Sequence, residues 1–342
     1  MRRLTLALAL SSLTMSGQVL ADQCPPLTIL SSVDMKIGNS GRVFVPATIN
    51  GTSQYMLVDT GGYFSELSQA AVGALQLTPR HTGLEMIGVS GTTTRLAVNA
   101  SFTLGKLHAN SMDFMVDTQD TRLQDDVPGA GGIIGPNLLT SYDVDFDFAA
   151  KKLNLLSQDH CDGKVIYWPA DVVAVIPIQM ADIYHIHLPV TLDGRRYTAT
   201  LDTGASNTVL NLDTATRDFS LKPGDADTPK FGDLGRKGGP ATYSHRFQSL
   251  TLEGITISHP LIELLPDLVS NFMEHPTDTV SNDTRLRDPR RETGLEDVIL
   301  GMDILHRLHV YIAYKEKKLY ITPAVAAKPA AAPAMSLSSP TK

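Results

Sequence analysis

The chain has 342 residues, of which 42% are hydrophobic and 19% charged, enough apolar material for a sizeable core and a length that points to two domains. Its formal net charge of −7 supplies no clustered positive surface for phosphate, which excludes nucleic acid as an expected partner.

In chain order, the first segment reads as an export signal. Arg2 and Arg3 give a basic start, Leu4 to Met15 an apolar run, and Val19-Leu20-Ala21 a small-residue cleavage site, so residues 1–21 are expected to be removed. A retained anchor is the rival, but the apolar run is short for a span and is broken by Ser11, Ser12 and Thr14. Cys24 is not preceded by the small-residue pattern of a lipidated cysteine. The chain is therefore expected in a bacterial periplasm or secreted, with no membrane contact after cleavage. Cys24 and Cys161 are the two cysteines, and in an oxidising compartment they are expected to form a disulfide closing the first half.

The remaining chain is one unit written twice. Val45 to Asp59 reads VPATINGTSQYMLVD, and Leu188 to Asp202 reads LPVTLDGRRYTATLD, which align without a gap. Thr60-Gly61 matches Thr203-Gly204, and six residues past each aspartate stands a hydroxyl, Ser65 or Thr208. A second pair of blocks follows in the same order: IIGPNLL at Ile133 to Leu139 and ILGMDIL at Ile299 to Leu305, continuing to Lys151-Lys152-Leu153 and Lys317-Lys318-Leu319. The two blocks lie further apart in the second half, which assigns it a net insertion within Lys222 to Arg291.

The local pattern is β. Arg42 to Ile49, Tyr55 to Val58, Thr94 to Leu104 and Ile186 to Leu192 read as strands, with Asn50-Gly51 and Asp193-Gly194 as hairpin turns. Helices are expected at Ser65 to Leu75, Pro136 to Ser141 and Met302 to Leu308. Residues 22–162 form a first lobe, 163–322 a second, and the Ala/Pro-rich 323–342 a disordered tail.

A single Asp-Thr-Gly is a weak signal, since turns use those residues. Here each copy ends an apolar strand, where an unpaired carboxylate is costly. Two such carboxylates, Asp59 and Asp202, brought together by a pseudo-two-fold axis suit a reaction needing one acid and one base.

These motifs, DTGG at Asp59 to Gly62, DTGA at Asp202 to Ala205, and the hydrophobic-hydrophobic-Gly elements ending at Gly135 and Gly301, resemble those of the retropepsin-like aspartic proteases. The resemblance implies a mostly-β, bilobal acid protease fold of two retropepsin-like β-barrel lobes. It implies an aspartic endopeptidase with catalytic Asp59 and Asp202, supported by Thr60, Gly61, Thr203 and Gly204. Its substrate would be an extended peptide or protein; no cofactor, metal or oligomer would be required for activity. It also places a substrate flap at Gly88, Val89, Ser90 and Gly91, the tip of the hairpin in Gly83 to Ala97, with Lys230 to Phe247 the corresponding region of the second lobe; one mobile flap or two stays open. Gly62 and Ala205 offer no hydroxyl to the dyad, which predicts activity nearer neutral pH than in a strongly acid-adapted enzyme. A non-catalytic peptide-binding module on the same fold is the alternative.

The remaining signals are read as structural. His185 and His187 alternate on a strand without a third metal ligand, and Asp143, Asp145 and Asp147 line what reads as a solvated strand face. His309, Tyr311 and Ala313 occupy the matched positions of the second half.

Overall fold

A computed structural model describes residues 24–87, 93–117, 123–181, 184–234, 238–266 and 297–324. Each half builds its own sheet, and a third sheet joins them. In the first half, Val43–Ile49 and Thr52–Val58 form a hairpin through Asn50-Gly51, both in the left-handed region (φ 48° and 79°) that a two-residue turn of this hand requires. In the second, His185–Leu192 and Arg195–Leu201 pair through Asp193-Gly194 with φ 44° and 79°. The same turn chemistry produces the same turn twice.

Each hairpin's second strand then pairs in parallel with the strand that ends in the second sequence block. Leu57 lies beside Ile133 of Ala130–Ile134, and Thr200 beside Ile299 of Val298–Leu300. Such a parallel pair, made by residues far apart in sequence, brings the Asp-Thr-Gly turn over the hydrophobic-hydrophobic-Gly element. Short strands Glu66–Ser68 and Val209–Asn211 complete the set, each antiparallel to that element and parallel to a further strand, Leu107–Asp117 or Leu261–Leu265. The fold is mostly β and bilobal, two retropepsin-like lobes related by a pseudo-two-fold axis, as the resemblance implies.

The lobes meet in a six-stranded sheet with strands from both halves: Ile29–Asp34, Lys152–Leu156, Asp143–Asp147, Leu308–Ala313, Lys318–Pro323 and Ala174–Pro177, in that order. Its central pair is Asp143–Asp147 against Leu308–Ala313, with Asp145 opposite Tyr311. The duplicated Lys-Lys turns sit at equivalent bends, Lys151 and Lys317 each at φ 54°. Cys24 and Cys161 are disulfide-bonded, with Cα atoms 5.1 Å apart, which ties the start of the first lobe to its end.

Several expectations need correction. Asp143 and Asp145 do not line a solvated face: both are fully buried, because the sheet they belong to is covered by the linker between lobes. Asp143 accepts from His160 Nε2 (2.7 Å) and the Tyr311 hydroxyl (3.0 Å). Asp145 pairs with His309 Nε2 (2.6 Å) and accepts from Asn154 (2.9 Å) and the Tyr167 hydroxyl. His185 and His187 are likewise buried. The helix expected from Ser65 begins only at Gln69–Ala74, capped by Ser68, since Glu66–Ser68 is a strand. A helix at Leu212–Phe219, capped by the Asn211 side chain, was absent from the sequence expectations.

The tail assignment begins too early, because Pro323 still pairs with Leu308 at the end of a strand; residues 325–342 lie outside the described residues, as do residues 1–23. Within the expected insertion, Lys230–Asp233 and Ala241–Arg246 form a hairpin. The first lobe's long strands Thr93–Leu104 and Leu107–Asp117 each correspond to two shorter strands here, interrupted around Phe247-Gln248 and His259-Pro260. Most of the extra length falls between Leu265 and Val298, where 267–296 lie outside the described residues.

Candidate active site

Asp59 and Asp202 each sit one residue past the end of a buried strand, where the chain turns out of the sheet. The backbone N–H of Asp59 donates to the Ile134 carbonyl (3.0 Å), and that of Asp202 to Leu300 (3.0 Å), so each aspartate is fixed to its own lobe's hydrophobic-hydrophobic-Gly element. That element is in turn held from the loop beyond the aspartate. Gly135 N–H donates to Ser65 Oγ (3.0 Å), and Gly301 N–H to Thr208 Oγ1 (3.1 Å). The two hydroxyls pass the chain of bonds on, Ser65 to Asn137 Oδ1 (2.9 Å) and Thr208 to Asp303 Oδ1 (2.7 Å). A Cβ at Gly135 or Gly301 would run into the backbone of Phe64 or Asn207, so only glycine lets the strand and loop approach this closely.

Thr60 and Thr203 lock the two lobes together beneath the aspartates. The Thr60 hydroxyl donates to the Leu201 carbonyl (2.8 Å) and the Thr203 hydroxyl to the Val58 carbonyl (2.7 Å). Each hydroxyl oxygen also accepts the other threonine's backbone N–H (3.1 Å in both directions). All four bonds are buried and cross from one lobe to the other, so each hydroxyl spends both its donor and its acceptor capacity on the partner lobe.

Above this lock the carboxylates face each other. Asp59 Oδ1 accepts from the N–H groups of Gly61 (2.8 Å) and Gly62 (3.1 Å); Asp202 Oδ1 accepts from Gly204 (2.7 Å) and Ala205 (3.1 Å). A Cβ at Gly61 would collide with the Asp202 carboxyl, and one at Gly204 with that of Asp59. The glycines are thus required by the opposite lobe's acid rather than by their own turn.

Burial pushes Asp59 above the ordinary carboxylate range, offset in part by the N–H of Gly61, a hydrogen bond with Asp202, the N–H of Gly62, and the positive charge of Arg42. Burial pushes Asp202 well above that range, and the Asp59 charge beside it adds to the effect. Two buried carboxyls this close cannot both ionise without strong repulsion, so the arrangement favours one proton shared by the pair.

The expected site residues Asp59, Thr60, Gly61, Asp202, Thr203 and Gly204 are therefore brought to one place. Gly88, Val89, Ser90 and Gly91 lie outside the described residues; the arms Arg80–Ile87 and Thr93–Leu104 that lead to them are paired. Two nearby groups were missed. Glu66 is partly buried, and burial with the Asp117 and Asp59 charges pushes it up to about 8. Its signal was a carboxylate where the duplicate copy has Val209. His185, read as a strand-face residue, reaches the Asp59 loop, with Nε2 3.0 Å from the Gly61 carbonyl.

A family model described as aspartyl protease matches residues 45–138 and 188–304, once in each lobe. No curated protein matches the chain. The matched stretches cover more than half of the sequence and contain both Asp-Thr-Gly turns and both glycine elements, so the protein belongs to the aspartyl protease family, with a retropepsin-like unit duplicated in one chain.

Proposed function

We propose that this protease is an endopeptidase acting on an exported or periplasmic protein substrate, and that it hydrolyses peptide bonds by general acid–base activation of one water between Asp59 and Asp202. The observation that carries the reading is the facing pair of buried carboxyls, each held against the opposite lobe's glycine turn and each pushed above its ordinary range by burial. Asp59, ionised, takes a proton from the water as its oxygen adds to the scissile carbonyl carbon. Asp202 gives its proton to the carbonyl oxygen, which yields a neutral tetrahedral diol. In the second half the proton on Asp59 passes to the leaving nitrogen, the C–N bond breaks, and Asp202 recovers a proton from a diol hydroxyl. The products are an acid and an amine, and the dyad ends as it began. No cofactor takes part.

The raised dyad supports activity nearer neutral pH, since the shared proton is retained further up the pH scale. The disulfide supports an oxidising compartment, in line with the export pattern of residues 1–21. An extended peptide would be held by backbone hydrogen bonds along the face between the lobes, under a flap with its tip at Gly88, Val89, Ser90 and Gly91. Both aspartates come from one chain, so no oligomer is required.

Digestion of a mixed peptide library over pH 3 to 8 tests this. The wild type is expected to cleave, and Asp59→Asn and Asp202→Asn each to lose about 100- to 10,000-fold in rate. Undiminished cleavage by either variant sinks the dyad. A wild type that binds library peptides and cuts none would instead favour the non-catalytic binding module.

A further inference from the structure

The two lobes are not equivalent around their aspartates, and one of the differences is a matched position that reaches across to the other lobe. Arg42 of the first lobe aligns with His185 of the second. Arg42 turns back into its own lobe, donating from Nε to Asp126 (3.0 Å) and to Ser40 Oγ (2.9 Å). His185 crosses over. It is 1% exposed, lies edge-on to the Tyr63 ring (centroids 4.5 Å apart), and sets Nε2 3.0 Å from the carbonyl oxygen of Gly61. A carbonyl only accepts, so Nε2 carries the proton.

That carbonyl belongs to the same peptide group as the Gly62 N–H, which donates to Asp59 Oδ1 at 3.1 Å. A peptide that accepts at its oxygen becomes a better donor at its nitrogen, because the charge shift runs through the conjugated C–N bond. The resulting relay runs from His185 through the Gly61–Gly62 peptide to Asp59. In the other lobe, the equivalent peptide joins Gly204 to Ala205, and its N–H donates to Asp202 Oδ1 at the same 3.1 Å. Among the described residues, no side-chain donor reaches the Gly204 carbonyl.

We propose that His185 is a positioning residue of the dyad, which acts through the Gly61–Gly62 peptide to favour negative charge on Asp59 and so leaves Asp202 to hold the shared proton. This rests on the protease reading and extends it by saying what breaks the symmetry of the pair. Among the described residues, the charged and titratable groups around the relay are Asp59 and Asp202 themselves; Arg42, whose charge also favours ionised Asp59; Glu66, within electrostatic reach of Asp59; Tyr63 against the imidazole; Tyr184 beside it, packed on Phe64; and His187 further along the same strand, while Asp182 lies outside the described residues. The neighbouring strand Gln179–Ala181, which sets Ala181 opposite His185, adds no titratable group. Arg42 is present in every variant below, so a change follows His185 alone.

The test is the pH dependence of kcat/KM on one fixed peptide for the wild type, His185→Leu and His185→Gln. Leucine removes the donor, and the acidic limb is expected to move up by about half a pH unit, since polarisation through one peptide changes a charged hydrogen bond by a modest fraction. kcat falls while KM holds. Glutamine keeps an N–H that reaches the same carbonyl and is expected to restore the limb. A carboxyl 13C titration of Asp59 in the folded proteins reads the same shift without turnover. An Asp59 titration and acidic limb unmoved in His185→Leu overturn the assignment, as does a folded His185→Gln that behaves like the leucine variant. A wild type that cleaves nothing while its Asp59 titration still shifts in His185→Leu removes the protease reading and leaves the relay standing.

Discussion

The dyad and the sheet at the base of the molecule are both places where the duplicated halves face each other, and they resolve that meeting in opposite ways. At the dyad the two copies keep the same residues, Asp-Thr-Gly against Asp-Thr-Gly, and like charge meets like. At the base the copies have diverged: His309 and Tyr311 stand where the first half has Asp143 and Asp145, and each aspartate meets the other's counterpart, Asp143 with Tyr311 and Asp145 with His309. Had both copies kept aspartate there, four buried carboxylates would share one pair of strands, and burial would penalise each. Symmetry thus survives where the proposed chemistry needs a shared proton and gives way where the same symmetry would only repel.

Breaking the complementary end is expected to have the largest effect. His309→Ala removes the partner of Asp145 from a pair whose side chains are 8% and 0% exposed, and leaves a buried carboxylate without its cation-capable neighbour. A loss of about 3–5 kcal/mol is expected from urea unfolding. The stacked Trp168 ring, 3.9 Å from that of His309, would lose its support as well. A loss below about 1 kcal/mol would mean that the base sheet does not depend on the divergence.

Breaking the symmetric end should act on rate rather than on fold. Gly204→Ala drives a methyl group against the Asp59 carboxyl, and Gly61→Ala does the same to Asp202. Displacement of either acid by a fraction of an ångström is expected to lower kcat/KM about 100-fold, with far-UV circular dichroism unchanged. Wild-type activity in both variants would show that the carboxyls have room the geometry denies them.

The smallest effect sharpens the comparison through pH. His160 is raised above its ordinary 6.5: burial lowers it, but the hydrogen bond and charge of Asp143, with the Cys161 carbonyl and Glu316, outweigh burial. A histidine with a raised folded value stabilises fully below 6.5 and loses that contribution as pH climbs through the raised value. Asp143, raised by burial, has the same sign, but its contribution starts to fall from 3.8, so the onset at 6.5 belongs to His160. The urea midpoint is therefore expected to decline from about pH 6.5 upward, and His160→Gln to flatten the decline. A midpoint that rises over that interval would reverse the assignment.

Local repetition carries what was legible in the sequence. Asp59 and Asp202, the twin Asx-Gly turns and the two glycine elements each recur with their neighbours, so comparing the halves exposes them. Ser65 and Thr208 were visible as matched hydroxyls, although their partners Asn137 and Asp303 lie in a different block. What was not legible depends on residues far apart in the chain. The alternation of Asp143, Asp145 and Asp147 has the same period on a wet strand as on a buried one. Tyr311 and His309, brought in by the joining sheet, and the linker residues His160, Tyr167 and Trp168 make that face dry. His185 was opaque for a related reason, since its partner is a carbonyl in the other lobe, and a carbonyl leaves no trace in sequence.

Whether one chain supplies both halves of a single dyad is tested most directly by calorimetry with a statine-type peptide, whose hydroxyl mimics the attacking water. One inhibitor is expected to bind per wild-type chain, with no tight binding to an equimolar mixture of Asp59→Asn and Asp202→Asn chains. Half an inhibitor per chain, or tight binding restored in the mixture, would contradict a dyad built within one chain.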